Sequence, residues 1–266
     1  MVFTFARGLF IQTTSKLTLY PKEYALECIN SDRNLKELFF DKNGSINVPY
    51  LSKKQIANRS SELYETYTEK LKPVNLLDII QKLNIKLNIT EEIKDEDLLA
   101  QINFSKREIT LFGKNFFSKE QHYFALAHEI GHFYLNHDKY LYEEEKTEKN
   151  SQNIIFNQSN INIDRLEFQA NYFAASLLLP ENILRILFFS LLKKYEIIHR
   201  GIAPLYIDNQ PCNLENYRKI CLPLCDFFNV SQEALKIRLK ELGYAKFAID
   251  EKTIKKEKNS LSFLDF

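Results

Sequence analysis

AHEIGH, residues 127–132, decides how this chain is read: two histidines stand four apart, with a glutamate directly after the first. On a helix that spacing stacks His128 and His132 one turn apart on one side, while Glu129 projects further round. A helix is well signalled here. Ser118-Lys119-Glu120-Gln121 fits a capping box, with Ser118 as N-cap and Gln121 at the third helical position. Tyr123, Phe124, Ala127, Ile130, Gly131, Tyr134 and Leu135 then share one broad apolar arc, with His128 on its edge and His132 just beyond. Two imidazoles so placed converge on one ion, with the Glu129 carboxylate near it but not ligating. The competing reading is a chance HExxH in a chain with five histidines. Gly131 is a poor helix former, which predicts that another segment's backbone packs close there.

The second signal is LEFQANYFAASLLLP, residues 166–180. Glu167, Ala170, Asn171, Ala174, Leu177 and Leu178 recur at helical spacing and form one face. The alanines let this helix lie close against a neighbour. A carboxylate on such a face is costly unless paired, and a metal ion would pair it. His128, His132 and Glu167 then leave a tetrahedral ion one open position for water, the catalytic rather than the closed structural pattern. Asn171, one turn after Glu167, is placed to receive a ring N–H from a ligand histidine and hold its orientation. The competing reading of Glu167 is a surface salt-bridge residue. Imidazole and carboxylate ligands suit zinc, one ion per chain, and leave another divalent metal open.

AHEIGH (127–132) and EFQANYFAASLLLP (167–180) resemble the HE-x-x-H and E-x-x-A-N-x-F-A-x-x-L-L-x-P motifs of the ImmA/IrrE-type metallopeptidases. The likeness extends to VPYLSKKQI (48–56), to a hairpin before the histidine helix, and to FNVSQEALKIRLKELGY (228–244), covering residues 46–245. Leu179 stands where Met is frequent, an exchange that conserves volume. The resemblance implies an α+β fold: a mainly helical, zincin-like metallopeptidase domain with a small β-sheet or hairpin beside the active-site helix, plus a helical C-terminal region. It implies zinc ligation by His128, His132 and Glu167, catalysis by Glu129, and cytoplasmic proteases of gene regulation, often cutting helix-turn-helix repressors. The expected organisation is an N-terminal extension of unread role (1–45), the peptidase domain (46–200), a helical region (201–250) and a tail (251–266).

Composition is compatible with this reading. A formal charge of +1, with 45% hydrophobic and 27% charged residues, gives no global electrostatic reason to expect nucleic acid as a partner. Cys28, Cys212, Cys221 and Cys225 form no CxxC pair and read as small buried apolar residues of a reducing cytosol. MVFTFARGLFIQ lacks a basic start and a long apolar run, so it reads poorly as a signal peptide. ILRILFFSLL (183–192) is too short to span a bilayer, so no membrane association is expected.

Along the chain, Ser52 caps an amphipathic helix, Pro73 opens another, and the alternation in IKLNI predicts a strand. Ala100 to Phe104 and Glu108 to Phe112 read as a hairpin, and the charged run 138–153 as a solvated loop. Helices are expected over Asp164–Leu179, Glu181–Tyr195, Leu214–Phe228 and Ser231–Leu242, with a short strand or irregular segment in 201–213.

Peptide hydrolysis is the expected chemistry, with Glu129 taking a proton from water and the strand Glu108–Phe112 aligning an extended peptide. The alternative is a regulatory binding protein that keeps the fold and cleaves nothing. FNVSQEALKIRL resembles half of a helix-turn-helix, but Lys236, Arg238 and Lys240 are its only basic candidates, and direct nucleic-acid binding is not expected. A purely structural zinc site lacks a fourth ligand. His137, five residues past His132, reads as off the ligand side, and His122 and His199 lack ligand spacing. Tyr123, Tyr172, His122 and His137 are all read as structural.

Overall fold

The computed structural model describes residues 48–92, 98–113, 118–138, 140, 156–198 and 201–248. Expectations for the N-terminal extension, for almost all of the charged loop, for the tail, and for Cys28 and His199 lie outside the described residues. The chain divides into two compact units, one running to Leu178 and the other starting at Leu179.

In the first unit, helix α1 (Lys53–Tyr67) starts at Ser52, which forms a capping box with Gln55. Helix α2 (Leu76–Lys82) starts later than expected from Pro73. Asn75 caps it instead, its side-chain oxygen accepting from the amides of Leu77 and Asp78. The connection before α2 is pinned from two sides, because the hydroxyls of Tyr64 and Tyr123 donate to the carbonyls of Lys72 and Val74.

Strands β1 (Lys86–Ile89), β2 (Ala100–Asn103) and β3 (Glu108–Leu111) form a mixed sheet in the order β1-β3-β2. β3 pairs parallel with β1 and antiparallel with β2, with Ile102 opposite Ile109. Period-two alternation turns Ala100, Ile102, Ile109 and Leu111 inward.

Helix α3 (Lys119–Tyr134) opens with the expected capping box of Ser118 and Gln121. Helix α4 (Phe156–Leu178) begins eight residues ahead of Asp164. No glycine or proline interrupts 156–163, so nothing in that stretch stops the helix from extending. Both α1 and α3 pack on α4. Phe173, Ala170, Ala174 and Leu177 are fully buried, as are Ile56 and Leu63 of α1 and Ile130 of α3. Burying each large apolar side chain contributes about 1.5–3 kcal/mol, which makes this layer the support for whatever α3 and α4 carry.

The second unit holds α5 (Glu181–Lys194), β4 (Leu205–Ile207), α6 (Pro211–Phe228), α7 (Gln232–Glu241) and β5 (Ala245–Phe247). β4 and β5 pair in parallel, and β5 had no counterpart among the expected elements. Between α6 and α7, Asn229 adopts the left-handed conformation and Ser231 caps the next helix. Phe188, Phe228, Leu224, Leu235 and Leu239 form the core, and Phe188 stacks on Tyr244. Cys221 and Cys225 are buried as expected, whereas Cys212, also expected to be buried, is exposed.

The fold is α+β and mainly helical, with a small mixed sheet beside the histidine helix. Among the described residues no single helix is long and apolar enough to cross a membrane.

Candidate metal centre

α3 and α4 meet at Gly131. A Cβ built there would lie 3.2 Å from the Ala170 carbonyl oxygen and 3.2 Å from Phe173 Cδ1. The missing side chain is what allows the two backbones to approach, as the sequence predicted. That approach brings Glu167 opposite the histidines one turn away.

The Nε2 atoms of His128 and His132 face each other at 2.9 Å. Glu167 lies beside both, with Oε2 3.3 Å from His128 Nε2 and Oε1 3.4 Å from His132 Nε2. Three ligand atoms, one from each residue, lie within 4.8 Å of one another. A tetrahedral ion with bonds of about 2.0–2.1 Å holds its ligands about 3.3 Å apart, so the spacing fits zinc or an ion of similar size. The donor set also fits, since both histidines turn the same nitrogen inward. Burial by itself would push the Glu167 carboxyl up, but the His132 and His128 imidazoles outweigh it and hold the group well below the usual carboxylate range.

The outward nitrogens are also engaged. His128 Nδ1 lies 2.9 Å from Asn171 Oδ1, where a ring N–H donates to the amide oxygen. His132 Nδ1 lies 2.9 Å from His137 Nδ1. His137 is not among the converging ligand atoms, as expected, but it lies against the outward nitrogen of one ligand, a contact the helix projection did not place. α3 stops at Tyr134, and Asn136 takes the left-handed conformation at φ 57°. The Asn136 and His137 amides then bond back to the carbonyls of Phe133 and His132 at 3.2 and 3.0 Å. This is a Schellman reversal, and it returns the residue after the left-handed one onto the helix's last turn. Projecting a straight helix past Leu135 missed it, although Asn136 was the available signal. Burial, with the His132 ring beside it, pushes the His137 imidazole well below its ordinary range and keeps it neutral. Its other nitrogen, Nε2, lies 3.1 Å from Gln169 Oε1.

Glu129 is 1% exposed, and neither carboxylate oxygen has a hydrogen-bond partner among the described residues. Burial penalises its ionised form, and the His128 and His132 imidazoles and the Ile102 main-chain N–H oppose this only in part. Burial dominates, and the carboxyl titrates above its ordinary value. A buried carboxylate with no hydrogen bond among the described residues, next to two inward imidazoles, marks Glu129 as a candidate functional residue.

The strand beside Glu129 is β2. The Phe112 amide donates to the Leu99 carbonyl at 2.9 Å, and pairs alternate along an antiparallel ladder. The main-chain groups of Gln101 and Asn103 therefore face β3, while those of Ala100 and Ile102 face the open edge. β3 was the strand expected to align a peptide, and this is corrected: it is the middle strand, paired on both sides. Among the described residues no strand pairs with the outer edge of β2. His122 and Tyr123 serve other partners, the carbonyls of Phe112 and Val74.

The family model for Peptidase_M78, the IrrE N-terminal-like domain, matches residues 107–240, just over half of the chain. The chain belongs to this family. The family is one of metal-dependent peptidases, and the match contains both halves of the His128, His132 and Glu167 group. It opens at β3, so α1 and β2 come from sequence ahead of it. Among solved structures, a Mycobacterium tuberculosis transcriptional regulator is 14% identical, with 77% of this chain and 49% of that one covered at a TM-score of 0.44. The chain thus spans about half the length of that protein. Comparison with curated proteins finds no match.

Proposed function

We propose that the chain is a zinc-dependent endopeptidase that cuts a regulatory protein, such as a helix-turn-helix repressor. The observation that carries this reading is the convergence of His128 Nε2, His132 Nε2 and the Glu167 carboxylate beside Glu129, whose oxygens have no hydrogen-bond partner among the described residues. His128, His132 and Glu167 hold the ion. A bound divalent cation supplies Lewis acidity to a carbonyl and lowers the pKa of water to about 7. Glu129 takes the proton released by the attacking water on a carboxylate oxygen and passes it to the leaving nitrogen. Its raised affinity for protons suits both transfers. Asn171 holds the His128 ring in place by accepting its Nδ1–H. The open edge of β2 receives the substrate as an added strand, with the main-chain groups of Ala100 and Ile102 aligning it.

A repressor substrate is supported by the ImmA/IrrE resemblance of the two motifs. Direct DNA reading by the second unit finds little support. Arg238 is buried and paired with Glu241 at 2.8 Å, and Lys236 lies over the Phe247 ring. The second reading, a regulator that binds without cutting, draws on the burial of Glu129, whose oxygens do not reach solvent. Incubating zinc-loaded protein with candidate repressors separates the two. Loss of the repressor band, absent with Glu129→Gln, supports the peptidase, whereas a tight complex with both chains intact supports the regulator.

A further inference from the structure

We infer that His137 and Gln169 are positioning residues, which set the tautomer and orientation of His132 at the metal centre. This rests on the metal reading above. The argument runs inward from a fixed point. The Pro49 carbonyl can only accept, so the Gln169 nitrogen 2.9 Å away donates to it. That orients the amide and turns Oε1 toward His137 Nε2 at 3.1 Å. Oε1 also only accepts, so a His137 ring with one proton carries it on Nε2. His137 Nδ1 is then a bare lone pair, 2.9 Å from His132 Nδ1, and His132 must donate there. With its proton held at Nδ1, His132 presents a free lone pair at Nε2, the atom that faces His128 and Glu167.

Each link has one permitted direction, so a main-chain carbonyl ahead of α1 determines which nitrogen of a ligand is available. The site is sealed where this matters: His132 and His137 are 1% exposed and Gln169 is 2% exposed, so water does not compete for these bonds. His128 gets the same service in one step from Asn171. The two ligands thus have unequal support, a direct amide for one and a three-residue relay for the other.

The test has two arms. In zinc-loaded protein with 15N-labelled histidine, long-range proton–nitrogen spectra should show His132 protonated at Nδ1 and His137 at Nε2. A proton on His137 Nδ1 would overturn the proposal. In the second arm, zinc affinity is measured by competition with a chelator. His137→Leu should weaken it by about 10- to 100-fold, the usual cost of losing such a partner. His137→Asn, whose amide oxygen can replace Nδ1 as acceptor, should recover most of that loss, and Gln169→Leu should fall between. Equal affinity in His137→Leu and wild type, or no recovery in His137→Asn, would sink the relay alone. Wild type that takes up no zinc would remove the metal reading itself, so the two failures are distinguishable.

Discussion

Gly131 and Ala170 set the spacing of the centre: a Cβ on Gly131 would lie 3.2 Å from the Ala170 carbonyl oxygen, against main chain that cannot swing aside. Gly131→Val should therefore force α3 and α4 apart. The expected cost is about 1–3 kcal/mol, typical of overpacking. Because Glu167 rides on the displaced helix, zinc affinity should fall with stability. Thermal unfolding and chelator competition on the same variant check this, and unchanged zinc binding would separate the helix crossing from the site.

Glu167→Ala removes the one ligand that comes from α4. Saturating zinc stabilises a protein that binds it only when folded, by about 4 kcal/mol at a thousandfold excess over Kd. Wild type should show a zinc-dependent rise in melting temperature and the variant almost none. Stripping zinc with a chelator should bring the two close together.

The Glu129 carboxyl titrates above its ordinary value because it is buried. The folded state therefore holds this proton more tightly than the unfolded chain. Its destabilising effect is absent below the unfolded pKa and grows as pH rises through the folded one. Glu129→Gln should raise the melting temperature of zinc-free protein at pH 8, and the gain should shrink toward pH 4.5. The same variant should bind zinc and lose cleavage. Retained cleavage would take the proton-transfer role from this residue.

The open edge of β2 offers main-chain groups at every second residue, Ala100 and Ile102. A peptide substrate scanned with single N-methyl groups should show the same period: alternate positions should lose about 2- to 10-fold in kcat/KM, one hydrogen bond each. A uniform loss along the peptide would argue against strand addition.

Most of the local structure was legible in the chain. The caps at Ser52 and Ser118 and the helical recurrence from Glu167 to Leu178 are all set by neighbours a few residues apart. The helix starts that shifted, at Leu76 and Phe156, moved because one cap replaced another or no breaker intervened.

By itself the sequence determined which residues share a helical face, and so which imidazoles, carboxylate and amide stand ready on α3 and α4. Even the close approach at Gly131 was visible, because a glycine in mid-helix has little other use. Only the tertiary structure decided that β3 lies in the middle and β2 at an edge of the described sheet, since strand order depends on hydrogen bonds between segments far apart in sequence. It alone brought His137 back onto His132 and met it with Gln169 from another helix. The reason is physical: helical periodicity reports on neighbours along one axis, and it says nothing once a single left-handed residue turns the chain back across that axis.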